Sequence, residues 1–184
     1  PVTLTRSNLI ARLVDGTELS GESKIDLRNE NLNVSIDYVG LDPKAYVYPP
    51  VLDAFQQADA IVLGPGDIYT SVLPNLLVED VAEAINTSKA VKVHVCNLMT
   101  KPAESEGFKA SNFVKLLIDY LGRVEPLDYL IFNDSPLPGR LLLRYASDGQ
   151  YPVELDMDEV QGLVKQVLSR PVLAAGVKSK NCSG

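Results

Sequence analysis

The sequence has few of the residues that common catalytic and metal sites require: its 184 residues include one histidine, two cysteines and no tryptophan. The single histidine, His94, lies in the apolar run VKVHV and gives little support to a Ser-His-Asp or Cys-His relay, so we interpret it as a core or edge residue. Cys96 and Cys182 form neither a disulfide framework nor a CxxC metal motif. We therefore predict that Cys96 packs inside a strand, that the chain holds no metal site, and that it works in a reducing cytoplasm.

Long apolar runs and an excess of positive charge are also absent. No run of about 18 apolar residues and no signal-peptide pattern occurs, so we expect no membrane insertion. The net charge of −7 leaves no basic face for long nucleic acid. A nucleotide or another small anion remains compatible with this charge, because backbone N–H groups and one or two local cations can bind phosphate. Neither GxxxxGK[ST] nor GxGxxG occurs, which excludes the two common phosphate-binding fingerprints.

The pattern of the chain changes after its first forty residues. Residues 9–39 contain short, partly alternating runs around Asp15-Gly16, which is a strong hairpin signal, and they predict an antiparallel β excursion. From Pro49 onward strands alternate with helical patterns, which predicts βαβ units and an α/β core with a mostly parallel sheet. We expect one domain over residues 1–184, with the β-rich part in 1–40 and the core in 49–184. Within the core the strands are predicted at 60–65, 91–98, 129–133, 151–156 and 164–169, and the helices at 49–59, 78–88, 111–122 and 138–149.

Polar side chains follow three of the predicted strands. The strand ending at Leu63 leads into Gly-Pro-Gly-Asp, and the next two lead into Asn97 and Asn133. Ligands of open parallel sheets bind outside the carboxyl ends of the strands, so we expect Asn97 and Asn133 to share one crevice. The alternative is that each asparagine only tolerates the turn that ends its strand.

The run GPGDIYTSVLPNLLV, residues 64–78, carries most of the candidate binding groups. Two glycines around a proline make a tight turn whose backbone can approach a bound anion closely. Hydroxyl, phenol and amide groups follow within the same run. The candidate residues are Gly64, Pro65, Gly66, Tyr69, Thr70, Ser71 and Asn75. A purely structural turn with Tyr69 packed inside is the alternative.

Asp67 does not suit a plain phosphate site, because two like charges about 4 Å apart repel by about 4 kcal/mol at an effective dielectric of 20. It points away from the ligand, is bridged to phosphate by a divalent cation, or bonds a sugar hydroxyl. We favour the sugar hydroxyl, because the sequence shows no acidic partner nearby.

Farther along, Glu104 and Glu106 lie either in a solvated loop or over the crevice. Arg140 and Arg144 are four residues apart on one helix face. They face solvent, form an ion pair or bind a carboxylate.

The run from Ala58 to Phe108, ADAIVLGPGDIYTSVLPNLLVEDVAEAINTSKAVKVHVCNLMTKPAESEGF, resembles the bacterial gluconeogenesis-factor family, relatives of 2-phospho-L-lactate transferase. PVTLTRSNLIARLVDGTELSGES and IFNDSPLPGRLLLRYASDG extend the resemblance over most of the chain. It implies a Rossmann-like three-layer α/β fold and nucleotide-sugar binding linked to gluconeogenic growth and cell shape. By matching position, it also implies ligand roles for Thr100 and Glu104. The matched positions are Gly64, Pro65, Gly66, Tyr69, Thr70, Ser71, Pro74, Asn75, Cys96, Asn97, Met99, Thr100, Glu104 and Gly107.

The chain departs from the family pattern in four places. Serine is usual at Asp67, and QPGET is usual where this chain reads KPAES, so Lys101 places a cation near the loop. The arginine-histidine pair expected near the end is not recognisable in GVKSKNCSG. The GGGTG unit that opens family members is absent, which implies a fragment with an exposed sheet edge and with weak or no nucleotide binding of its own.

The expected function is that of a UDP-sugar-like nucleotide-sugar-binding regulator of gluconeogenic growth and cell shape, since PNLLV and CNLMT resemble that branch. One alternative is a transferase that moves a phospholactyl-type group from a guanine-nucleotide donor to a deazaflavin precursor, with Mg²⁺ as a possible cofactor. The other is a protein-interaction scaffold. The sequence assigns no catalytic residue, and a homo-oligomer is compatible with it.

Overall fold

The computed structural model describes residues 1–27 and 33–173. Two sheets, one antiparallel and one parallel, are combined with helices into a three-layer α/β arrangement. This is the predicted fold class. Cys182 and the GVKSKNCSG segment lie outside the described residues, so the predictions made for them stay predictions.

The amino-terminal part forms the predicted antiparallel excursion. Its strands are β1 (Asn8–Leu13), β2 (Glu18–Ser20) and β3 (Ile36–Asp42), and β1 pairs with both neighbours. The Asp15-Gly16 turn joins β1 to β2, and the Thr17 N–H donates to Asp15 Oδ1 at 2.9 Å. A short helix, α1 (Glu22–Asp26), follows β2 and was not predicted. At five residues it is too short to show a helical hydrophobic period.

The second sheet consists of four parallel strands in the order in which they occur in the chain: β4 (Ala60–Leu63), β5 (Val91–Val95), β6 (Leu127–Asn133) and β7 (Val164–Arg170). Helix α2 (Pro49–Gln57) precedes β4, and the helices between the strands are α3 (Leu73–Leu76), α4 (Val81–Thr87), α5 (Ala110–Leu121), α6 (Gly139–Ser147) and α7 (Met157–Val160). A π-helical turn, Ile68–Val72, precedes α3. Helix α5 supplies the centre of the core, where Phe113, Val114 and Leu117 are fully buried beside Leu127 and Leu130 of β6.

The strand predicted at 151–156 is wrong. This segment makes a single antiparallel bridge, between Met99 and Pro152, and then leads into α7. The residues on either side of Pro152 form backbone hydrogen bonds with the end of β5. Proline has no N–H to donate, so Pro152 prevents these bonds from continuing as a strand ladder. The Val153 N–H donates to the Leu98 carbonyl at 3.0 Å, which holds the segment against the end of β5.

Strand β4 is an edge strand. Among the described residues it pairs with β5 alone, and Val62 in its centre is 58% exposed. An exposed edge at this position was expected. In the described ranges, no helix combines the length and the apolar character needed to cross a bilayer.

Candidate functional site

The carboxyl ends of β4, β5 and β6 open onto one crevice. The GPGD loop (residues 64–67) follows β4, and the CNLMTK segment (residues 96–101) follows β5. Together with Tyr145, Gln150 and Val172 they line a cavity of about 420 Å³, the loop cavity. An adjoining cavity of about 280 Å³ is lined by both Asn97 and Asn133, as the strand ends predicted.

The two asparagines differ in what they bind. Asn97 donates from Nδ2 to the Gly66 carbonyl at 2.9 Å, so it fastens the GPGD loop to the end of β5. Asn133 donates from Nδ2 to the Ser135 carbonyl at 2.8 Å and accepts the Val172 N–H at 3.2 Å. Asn133 therefore stabilises the turn after its own strand and ties it to the segment after β7, whereas Asn97 ties the GPGD loop to the end of β5.

Gly64 sits where the chain turns from β4 into the loop. Its φ is +77°, and an added Cβ would lie 3.2 Å from the Val95 carbonyl oxygen of the neighbouring strand. The left-handed conformation and this close approach both favour glycine. The GPGD loop therefore lies directly against the end of β5.

We expect Gly64→Ala to cost more stability than Gly107→Ala, by about 1 kcal/mol. Both glycines have a positive φ, and strain of this kind costs on the order of 1–2 kcal/mol. Only Gly64 has a backbone atom within 4 Å of the added Cβ, whereas Gly107 faces open space. Urea unfolding of both variants measures the difference, and equal losses would contradict the close approach.

The hydroxyl and amide groups of the run after the loop point in two directions. Tyr69 is 5% exposed and packs in the core, and Thr70 is 7% exposed. Ser71 and Asn75 are exposed and line a different cavity of about 580 Å³ beside β4, together with Gly64 and Pro65. For Tyr69 the structural alternative, a tyrosine packed inside, describes the geometry.

Thr100 is also buried, in the CNLMTK segment on the other side of the loop cavity. Its N–H donates to the Tyr151 carbonyl at 2.7 Å, and its Oγ1 accepts the Tyr151 N–H at 3.1 Å. These two bonds fasten the segment before α7 to the end of β5, so Thr100 shapes the wall of the cavity.

Asp67 is paired with a cation from the chain itself. Lys101 Nζ lies 2.7 Å from Asp67 Oδ2 and 3.1 Å from Glu104 Oε1, and it also contacts Asp26 Oδ1 of α1. Lys101 thus supplies the cation that its sequence position indicated. The expectation that no acidic partner lies near Asp67 is wrong, because carboxylate oxygens of Asp26, Asp67 and Glu104 lie within 4.8 Å of one another. Asp26 escaped prediction because it is distant in sequence and belongs to the unpredicted helix α1.

Glu104 lies beneath the π-helical turn and not in solvent. Its side chain is 1% exposed, so the solvated-loop interpretation is wrong for this residue, although Glu106 is exposed. Glu104 Oε2 accepts the Tyr69 N–H and Oε1 accepts the Thr70 hydroxyl, each at 3.4 Å. Burial raises the pKa of the Glu104 carboxyl to about 7, and the Lys101 ammonium opposes part of that rise. Glu104 therefore supports the turn from below.

His94 takes the core position predicted for it, whereas Cys96 is buried but lies one residue beyond the end of β5, not inside the strand as predicted. His94 is 1% exposed, and its Nδ1 lies 2.9 Å from the Leu63 carbonyl oxygen. Burial lowers the His94 pKa to about 4, so the ring is neutral at pH 7. Cys96 is buried at the wall of the loop cavity, and burial raises its thiol pKa to about 12, which keeps the thiol protonated. Arg140 and Arg144 on α6 are exposed, which is compatible with their solvent interpretation.

A divalent cation, as the transferase alternative would use, does not fit the acidic side chains at this site. Asp26, Asp67 and Glu104 offer suitable oxygen ligands. However, Lys101 forms ion pairs with all three carboxylates, so its ammonium takes the place that a metal ion would need.

Comparisons with known proteins agree with this architecture. The sequence model of the family described as 2-phospho-L-lactate transferase CofD matches residues 1–173. A relative from Thermoanaerobacterium thermosulfurigenes is 41% identical over 175 residues, which cover 95% of this chain and 54% of the relative. The gluconeogenesis factor of Bacillus subtilis is 33% identical over 161 residues, covering 87% of this chain and 49% of that protein.

A solved structure shows the same fold. The crystal structure of a member of the UPF0052 family from Bacillus halodurans superposes with a TM-score of 0.88 at 34% identity, and the match covers 96% of this chain and 56% of that one. The chain thus spans about half the length of the relatives it matches. Its sequence and its fold together show that the chain belongs to the CofD family, which includes the gluconeogenesis factors.

Proposed function

We propose that this chain forms one wall of a nucleotide-sugar site in a regulator of gluconeogenic growth and cell shape. The observation that carries the proposal is the loop cavity, at which Asn97 joins the GPGD loop to the end of β5. Its volume of about 420 Å³ lies in the range usual for small-molecule sites, roughly 300–1,000 Å³. Its place outside the carboxyl ends of parallel strands is where α/β proteins bind nucleotides.

The polar groups of the loop cavity suit a sugar better than a bare phosphate. Asp67 lines the cavity with its side chain 42% exposed, so a phosphate beside it would meet a like charge. Hydroxyl groups of a sugar can donate to this carboxylate and accept from the Asn97 amide. The relatives named gluconeogenesis factor support the regulatory role.

Binding is favoured over catalysis by the state of the two reactive side chains near the crevice. The Cys96 thiol stays protonated because burial raises its pKa to about 12. His94 is enclosed in the core with its Nδ1 at the Leu63 carbonyl, so it does not reach the loop cavity as a base. Neither side chain is placed to act as nucleophile or proton carrier on a ligand in that cavity.

The transferase remains a second candidate because the matching family is described as 2-phospho-L-lactate transferase. This activity requires a guanine-nucleotide donor and a deazaflavin acceptor in place of a UDP-sugar. It would place a phosphate ester near the GPGD loop. The two candidates therefore differ in the nucleotide they bind.

A thermal-shift titration of the complete protein separates the two functions. We expect stabilisation by UDP-N-acetylglucosamine and none by GDP with Mg²⁺; ligand at 100 times its Kd stabilises a fold by about 2.7 kcal/mol. Asn97→Ala should weaken UDP-sugar binding about tenfold, because the GPGD loop loses its tie to β5. Asn86→Ala is the matched control, since the Asn86 amide donates to the Leu121 carbonyl away from the crevice.

Each other outcome of this titration has a definite meaning. A response to GDP with Mg²⁺ and a deazaflavin alone would favour the transferase. Silence from every nucleotide would favour a protein-interaction scaffold. Equal weakening by Asn97→Ala and Asn86→Ala would show that the loop cavity is not the binding site.

A further inference from the structure

We propose that Lys101 is a positioning residue whose ammonium group substitutes for a divalent cation at the crevice, so that the site needs no metal to hold its acidic side chains together. The consequence for ligand binding rests on the proposed function, but the exclusion of metal does not. The residues concerned are Lys101 and its three carboxylate partners, Asp26, Asp67 and Glu104, called here the lysine cluster.

The geometry of the lysine cluster matches one ammonium group. An ammonium has three N–H donors and no acceptor, and here it contacts three carboxylates. The oxygens of these carboxylates lie within 4.8 Å of one another, a spacing at which one cation reaches all of them. Every donor of Lys101 therefore has an acidic partner, and the three carboxylates share its single positive charge.

The cluster is shielded enough for these pairs to matter. The Lys101 side chain is 22% exposed and that of Glu104 is 1% exposed. Exposed ion pairs contribute little, whereas removing one partner of a buried pair leaves an uncompensated charge. Burial alone would lower the Lys101 pKa, but its hydrogen bonds to Asp26 and Asp67 raise it above the ordinary value, so the group stays charged.

The backbone of Lys101 is held as firmly as its side chain. Its N–H donates to Ser105 Oγ at 3.0 Å, and its carbonyl accepts the Ser105 N–H at 2.9 Å. The ammonium is thus fixed from a short turn after β5. From there it joins α1 of the antiparallel excursion to the GPGD loop of the parallel sheet.

A metal site is therefore masked in this chain by its own lysine. Hard cations such as Mg²⁺ and Mn²⁺ bind carboxylate oxygens, and the lysine cluster offers three carboxylates once the ammonium is removed. Lys101→Met keeps most of the buried aliphatic stem and removes the charge. We expect that variant to gain a divalent-cation site and the wild type to have none there.

The experiment is Mn²⁺ titration of the complete protein, followed by electron paramagnetic resonance of free Mn²⁺. Lys101→Met is expected to bind one more Mn²⁺ than the wild type, at least tenfold more tightly than any wild-type site. Lys101→Arg should gain none because it keeps the charge. Lys44→Met is the matched control, because Lys44 pairs with the single carboxylate of Glu79. Adding Glu104→Gln to Lys101→Met should abolish the gained site.

Two results would overturn the inference. One is wild-type Mn²⁺ binding that Glu104→Gln removes, which would mean that metal displaces the lysine. The other is no gain of Mn²⁺ in Lys101→Met while circular dichroism shows it folded; Lys101→Ala repeats the test if the methionine variant does not fold. Wild-type UDP-N-acetylglucosamine binding should be unchanged by EDTA. If no protein binds the nucleotide, the proposed function fails while the Mn²⁺ result still decides the role of Lys101.

Discussion

Glu104→Gln is expected to remove a component of stability that falls as the pH rises from about 4.5 to about 7. Burial raises the Glu104 pKa from the ordinary 4.5 to about 7 in the folded protein. Between these values the folded state binds the proton and the unfolded state does not, so unfolding becomes easier with rising pH. At 1.36 kcal/mol for each unit of pKa, the effect amounts to about 3 kcal/mol.

The measurement is urea unfolding of the wild type and Glu104→Gln at several pH values between 5 and 8. The wild-type free energy of unfolding minus that of the variant should decrease as the pH rises and then level off above about 7. Glu106→Gln is the matched control, since Glu106 is exposed two residues away. A difference that stays constant over this range would mean that Glu104 is ionised throughout, held so by Lys101.

His94→Asn is expected to remove a component of stability whose change with pH has the opposite sign to that of Glu104. Burial lowers the His94 pKa from 6.5 to about 4, so between these values the unfolded state takes up a proton that the folded state does not. Stability is therefore lost as the pH falls through this range, by up to about 3 kcal/mol. The asparagine amide can replace the Nδ1 donor to the Leu63 carbonyl while removing the titrating ring.

Chemical unfolding at pH 8 and at steps down to pH 4.5 tests this effect. At pH 8 histidine is neutral in both states, so the difference between wild type and variant there reports packing alone. The wild-type advantage should then shrink as the pH is lowered. Parallel curves would show that His94 keeps an ordinary pKa, which would contradict its enclosure in the core.

The two effects overlap between about pH 4.5 and 6.5 and oppose each other. In the wild type, the contributions of Glu104 and His94 to the pH dependence of the free energy of unfolding should nearly cancel there, because their signs differ and the two pKa changes are similar in size. The single variants should therefore show slopes of opposite sign in that window. The free energy of unfolding of the double variant should again change little with pH in this window.

Much of the fold follows from local patterns. The Asp15-Gly16 hairpin, the strands at 60–65, 91–98, 129–133 and 164–169, and the parallel direction of these strands all correspond to the structure. Periodicity and turn residues act over a few positions, so short-range reasoning reaches them. It failed at residues 151–156, where the apolar alternation is real but Pro152 and the contact with Leu98 and Thr100 leave an isolated bridge.

For the site, the sequence by itself determined that a glycine-proline turn and two asparagines follow parallel strands, because strand ends and turn residues are local properties. It also marked Lys101 as a cation near the loop. Only the tertiary structure decided that Glu104 is buried beneath Tyr69 and Thr70 and that Asp26 completes the lysine cluster. Those contacts arise where α1, the GPGD loop and the turn after β5 pack together, and ion pairs between distant segments leave no periodic trace in the chain.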